Sequence, residues 1–332
     1  MKPGLLLLIS TLLEGETIHH LPATPTTVIV GNYFSGSTPV LTIASGDTVE
    51  IECVSVGNAA KLEAAGAMPA DIKPAIRALE KQVKDRGPGG HPLTGPVFIE
   101  GAQPGDVLEV RIRRIEMTEP YAFNSFGPKS GFLKEDFPYS KTRIIPLDQK
   151  RGVAVFGKGI EIPLRPFFGS MGVAPPESMG KINSAPPGIH AGNMDNRDLV
   201  AGTTLFIPVH VKGALFQVGD GHAGQGNGEV DITAMETSLT GTFQFIVRKD
   251  MHLTWPRAET PTQYIAIGIN EDLTEAARLA TREMIDFLVK EKGLTRDDAY
   301  ALISVAGDLN VTQVVDGTKG VHVTLAKSLF GH

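Results

Sequence analysis

Apolar positions in the first three quarters of the chain recur mostly every second residue or in short runs. Thr27-Val28-Ile29-Val30, Val40-Leu41-Thr42-Ile43 and Val49-Glu50-Ile51-Glu52-Cys53-Val54 follow one another closely. In the last of these Val49, Ile51 and Cys53 share one face, with Glu50 and Glu52 on the other, as a half-buried strand requires. One device appears three times. Ser45-Gly46-Asp47, Pro104-Gly105-Asp106 and Ala201-Gly202-Thr203 each place a glycine turn before an alternating run: Val49/Ile51/Cys53, Leu108/Val110/Ile112 and Leu205/Ile207/Val209. Turn-plus-strand units at irregular spacing point to a β-sandwich, not to a parallel βαβ sheet.

Helical spacing is rarer. Residues 69–85 predict a helix with Pro69 and Pro74 near its start and Ile76, Leu79 and Val83 on one face. Near the end, Asp272 followed by Glu275 reads as a cap. Ala276, Leu279, Ala280, Met284, Ile285 and Leu288 form the buried stripe, and Gly293 is the stop. Thr295 opens a second helix through Ile303, and Leu309–Val315 returns to strand. The segment 119–140, mixed in aromatics, glycine and proline, reads as a long loop. The expectation is a mainly β fold, a jelly-roll-like β-sandwich with a C-terminal α/β substructure. It divides into residues 1–18 as a leader, 19–250 as a β-rich catalytic domain and 251–332 as an α/β portion packed on it.

Composition narrows the class. The 332 residues are 42% hydrophobic and 20% charged, ordinary for a well-packed protein. A net charge of −6, with no dense basic run, argues against nucleic acid as a partner. The single cysteine, Cys53, excludes an intrachain disulfide and a cysteine-built zinc cluster, and its apolar neighbours make it a core residue. Leu5–Ile9 and Leu12-Leu13 resemble a short signal peptide, but Glu14 closes the run and no small-x-small site precedes it. The run is also too short to span a bilayer, so the expectation is a cytoplasmic protein with an extra leader and no membrane partner.

The chemistry concentrates in Gly219-Asp220-Gly221-His222-Ala223-Gly224-Gln225-Gly226-Asn227-Gly228-Glu229, where five of the ten positions 219–228 are glycine. Glycine is costly to order, so such a cluster serves tight turns or a close backbone approach to a ligand. Asp220 and His222, two apart, point to the same side of an extended backbone. Leu215–Val218 and Val230-Asp231-Ile232 read as buried strands framing the stretch, and Leu205–Val211 leads into it as in a hairpin. Further donors are His91, in the irregular loop Gly87–Pro96; Asp195, in Gly188–Arg197; and Glu229 and Glu236. Arg197 is placed to hold Asp195 or Asp198. Carboxylates and imidazoles without cysteine suit a divalent zinc or calcium ion and a reactive water. No Gly-x-Ser-x-Gly elbow or Ser-His-Asp arrangement offers a nucleophile instead.

At these residues the chain resembles the acetamidase/formamidase family. The resemblance is carried by His19-His20-Leu21-Pro22-Ala23-Thr24-Pro25, by His91–Pro96 with Gly101–Asp106, by Gly192–Arg197, and by Gly219–Glu229. Gln313–Asp316, Gly320–His322 and Lys327–Phe330 complete it. It implies hydrolysis of a short aliphatic amide such as formamide or acetamide to carboxylate and ammonia, by a homo-oligomer. Asn227, where the family commonly has Asp, and the segment before His19 depart from it. On this reading His91, Asp220 and His222 bind the metal. Glu229 is the general base, Asp195 and Gln225 assist, and Asn193, Gly221, Gly224 and Glu236 contact substrate. The competing readings are a non-catalytic metal- or sugar-binding β-sandwich module, and an amidase for a bulkier amide or lactam.

Overall fold

The computed structural model describes residues 18–331. The expected leader therefore lies outside the described residues, apart from Ile18. Two large sheets dominate. One has nine strands, in the order Ile18–Leu21, Thr48–Cys53, Leu239–Arg248, Val107–Met117, Thr204–Pro208, Arg257–Glu259, Gln263–Asn270, Lys319–Ala326 and Asp308–Gln313. The other orders Ala191–Asn193, Phe167–Gly172, Phe216–His222, Pro92–Ile99 and Val28–Val30, with Leu41–Ile43 pairing on Pro92–Ile99. Inward residues of both meet in one core: Val49, Ile51, Leu108, Val110, Phe243 and Phe245 against Val97, Ile99, Phe168, Met171, Phe216 and Val218. This is the sandwich the alternating pattern predicts. A four-stranded sheet lies beside it, ordered Ile160–Pro163, Val153–Gly157, Lys141–Asp148 and Tyr121–Phe126.

The three glycine turns behave alike. Gly46, Gly105 and Gly202 all take positive φ (107°, 94° and 88°), open to glycine without penalty, and the three strands after them join the nine-stranded sheet. Asp47 and Asp106 close their turns by accepting from the backbone N–H of Ala44 and Gln103.

The C-terminal helices also follow their sequence signals. The Leu273–Lys292 helix is capped by the Asp272 side chain, which accepts from Glu275 N, and ends at Gly293 in the left-handed conformation. Arg296–Ala306 is capped in the same way by Thr295. The first of these helices buries Ala276, Ala280, Met284 and Leu288 against Val321, Val323 and Leu325 of the sheet. Strands after residue 250 thus continue the nine-stranded sheet begun by the N-terminal ones. No helix among the described residues is long and apolar enough to cross a membrane.

Four local expectations change. The helix predicted over 69–85 is confined to Pro74–Gln82, and a short helix at Ala59–Ala64 precedes it. Segment 119–140 contains the strand Tyr121–Phe126, and its irregular part starts only after it. Thr204–Pro208 and Phe216–His222 belong to different sheets, so they form no hairpin; the chain crosses between the layers through a turn at Gly213. Val230–Ile232 is not a strand: Val230 is 59% exposed and Ile232 has φ +92°. Its apolar letters therefore misled, because period alone does not tell a short strand from an apolar loop.

Candidate active site

The ladder between Phe167–Gly172 and Phe216–His222 builds the floor of the site. Phe168 pairs with Gly221 and Ser170 with Gly219, so Gly169 stands opposite Asp220. Asp220 adopts φ +57° and His222 follows two residues on, at the strand end. The far wall comes from Glu236, whose backbone bridges both His222 and Phe123. The turn after Asn193 brings in Asp195, anchored by its N–H to Gly169 O at 3.1 Å. The loop after Gly228 brings in Glu229. Asp195, Asp220 and Glu229 all sit at positive φ (50°, 57° and 45°), where a side chain costs about 1–2 kcal/mol. Strain gathered on three acids of one cluster marks a place where geometry outranks local comfort.

His222 is the hub. It is fully buried, with the Phe167 ring edge-on at 4.9 Å. Its Nε2 lies 3.4 Å from Asp220 Oδ2 and 3.3 Å from Glu236 Oε1. Neither ring nitrogen makes a hydrogen bond among the described residues, and Asp195 Oδ1 and Glu236 Oε2 are likewise buried without a partner. Two sets of donor atoms converge within 4.8 Å of one another: Asp220, His222 and Glu236, and Asp195, His222 and Glu229. Two donors bound tetrahedrally to one ion at about 2.0–2.1 Å stand about 3.3–3.4 Å apart. The spacing around His222 Nε2 is therefore that of ligands sharing an ion, and these acidic and imidazole groups could hold a metal.

Gly169 supports the same conclusion. A Cβ there would sit 2.5 Å from Asp220 Oδ2 and 2.8 Å from His222 Cε1, and would also strike Asp195 Oδ1. Only a bare backbone leaves this space to the donors.

The electrostatics are those of crowded acids around one imidazole. Burial raises Asp195, and the neighbouring Asp220 charge adds to it. Burial and the Asp195 charge push Glu229 well above the usual carboxylate range. Burial also raises Glu236. Asp316, from the loop after Gln313, is driven well up by burial and then by Asp195. Asp220 goes the other way: burial opposes its charge, but His222 and then His91 hold it down to about 2. Burial disfavours the charge on His222, yet Glu236 and Asp220 raise it well above the usual imidazole range. A buried acid cluster of this kind is costly unless a cation or shared protons offset it.

The sequence-derived residues fare differently. Asp220, His222, Asp195 and Glu229 meet. His91 reaches the rim, with Nδ1 2.9 Å from Ser184 Oγ and Nε2 3.9 Å from Asp220 Oδ2. Asn193 donates through Nδ2 to Asp195 Oδ2 at 2.8 Å. Gln225 donates through Nε2 to the Asp195 carbonyl at 2.8 Å, while its Oε1 is buried without a partner. Gly221 packs tightly on Thr237 O, and Gly224 on Met235. Glu236, a substrate contact on the sequence reading, points its carboxylate at His222. Arg197 reaches Gln225 O at 3.4 Å, not Asp198, which Arg165 and His322 hold instead. Asn227 is exposed. Gly169 and Asp316 were missed as site residues. Asp316 stood inside a motif already noted, but nothing local in Phe167-Phe168-Gly169-Ser170 marks its glycine.

Comparison with known proteins gives the family and the fold. A model of the Acetamidase/Formamidase family matches residues 32–185 and 181–330. The structure is similar to that of an acetamidase from Yersinia enterocolitica, with TM-score 0.82 and 30% identity over 96% of this chain and 94% of that one. It is also similar to an acetamidase from Bacillus halodurans, with TM-score 0.79 and 31% identity over 94% of this chain and all of that one. A formamidase from Methylophilus methylotrophus is 26% identical over 191 residues, covering 42% of this chain and 47% of that protein.

Proposed function

This chain belongs to the acetamidase/formamidase family and is an amidase, and from that premise we propose that it hydrolyses a short aliphatic amide at the centre around His222. The observation that carries the assignment of the site is the unpartnered His222 Nε2 held 3.3–3.4 Å from two carboxylates. Asp220, His222 and Glu236 would hold a divalent ion, with His91 completing the set from the rim. An imidazole among the donors favours zinc over calcium, which takes oxygen ligands. Bound there, such an ion would polarise the amide carbonyl and acidify water beside it.

The chain's own groups do the rest. Glu229 takes the proton from the attacking water as oxygen bonds to the carbonyl carbon. It then delivers that proton to the departing nitrogen as the C–N bond breaks, giving ammonia and the carboxylic acid, which ionises to carboxylate by passing its proton to ammonia or solvent. Asp195, fixed by Asn193 and by the Gly169 carbonyl, stands beside Glu229 and, on top of burial, its charge raises the proton affinity of that base. Burial of every acid excludes bulk water and strengthens each charge interaction inside.

The test is Glu229→Gln, which keeps shape and removes the base. Ammonia release from formamide and acetamide should fall by about a hundred-fold or more, with an unchanged circular-dichroism spectrum and metal content. Unaltered turnover in the variant rules Glu229 out as the base. Metal analysis before and after chelator treatment tests the ion separately.

A further inference from the structure

A second buried network lies behind the site, and its geometry points to a positioning role for its central residue, His322. We propose that the Thr312–His322–Asp198 chain locks the loops that carry Asp195 and Glu229 into a single catalytic register. The proposal rests on Glu229 being the base. His322 is completely buried on the strand Lys319–Ala326. Its Nε2 is 3.1 Å from Asp198 Oδ2 and its Nδ1 is 2.6 Å from Thr312 Oγ1. A carboxylate only accepts, so Nε2 is the donor and the ring orientation is fixed.

Each end of this chain grips a different piece of the site. At one end Asp198 also accepts from Arg165 Nη2 at 2.6 Å, and its N–H donates to Asn196 Oδ1 at 3.0 Å. Asn196 follows Asp195. Arg165 N in turn donates to Ala223 O, one residue past His222. At the other end Thr312 O accepts from Gly228 N at 2.9 Å, and Val314 N donates to Gly228 O at 3.1 Å. Gly228 immediately precedes Glu229. The adjacent Gln313 side chain accepts from the N–H groups of Val315 and Asp316 and so sets the third acid. One imidazole therefore ties together the segments bearing Asp195, His222, Glu229 and Asp316, without itself reaching the reacting atoms.

The arrangement of hydroxyl, imidazole and carboxylate resembles a nucleophilic triad. Thr312 is only 2% exposed, however, and its backbone is committed to the Gly228 loop, so it has no access to substrate. Its hydroxyl serves register instead. A misplacement on the order of 1 Å costs up to about a hundred-fold in rate, and Glu229 depends on this connection for its placement.

The experiment compares Thr312→Val with Thr312→Ser at 25 °C, well below the melting temperature of each. Valine should lower kcat by about ten- to a hundred-fold with KM and metal content near wild type, and serine should recover most of the loss. Wild-type kcat in the valine variant overturns the proposal. So does a serine variant as slow as the valine one, or a loss seen only as lowered melting temperature. If Thr312→Val does not fold, His322→Gln, which cannot bridge both partners, takes its place under the same criteria. An active Glu229→Gln would refute the base assignment itself; an inactive Glu229→Gln beside a fully active Thr312→Val would refute only the positioning role.

Discussion

Gly169→Ala isolates the site from the fold. Gly169 is not among the residues with positive φ, so alanine meets no backbone penalty there. By removing freedom from the unfolded chain the added methyl would by itself stabilise by about 0.4–1 kcal/mol. The obstacle is what the new Cβ meets. It would stand 2.5 Å from Asp220 Oδ2, whereas ordinary contact begins at 3.4 Å, so that oxygen must retreat by about 0.9 Å. His222 Cε1, at 2.8 Å, must move as well, and so must Asp195 Oδ1. Ordered core atoms yield reluctantly, and a shift near 1 Å in a reacting constellation costs up to about a hundred-fold in rate. We expect kcat/KM for ammonia release to fall by about that factor and bound metal to drop, with a melting temperature within a few degrees of wild type. Full metal content with kcat/KM within about three-fold of wild type would refute the view that Gly169 clears space for the donors.

Glu236→Gln should lower retained metal after dialysis while preserving the fold, because the unpartnered Oε2 and the His222 contact both lie on that carboxylate; undiminished metal removes Glu236 from the ligand set. Asp198 is held down to about 2, mainly by the His322 hydrogen bond, against burial. Its folded value lies below the ordinary one, so its contribution is present above about pH 4 and disappears as pH falls towards 2. Solvent screens this partly buried group and reduces the contribution to about 1 kcal/mol, so Asp198→Asn should flatten the acid limb of a stability–pH curve and lower the plateau by about that amount. Cys53 is 1% exposed and burial pushes its thiol up to about 12. A thiol reagent should therefore leave activity intact and react only on unfolding; rapid labelling of the native protein would contradict this.

Much was legible in the letters alone. Period-two runs behind Gly46, Gly105 and Gly202 determined three strands of the large sheet. Asp272, Gly293 and Thr295 set helix ends, since capping and left-handed glycine are local chemistry. The glycine stretch from Gly219 named Asp220, His222 and Glu229, because ordering that many glycines needs a reason other than packing. Tertiary structure decided the rest. Gly169 matters only through the cross-strand pairing that sets it opposite Asp220. Glu236 becomes a partner of His222 by a bridge between distant segments, and the His322 link to Glu229 runs through a strand more than eighty residues further on. Val230–Ile232 shows the converse, an apolar run that the fold uses as a loop. Propensity and period act within a few neighbours, whereas a ligand set depends on long-range register, which no local pattern encodes.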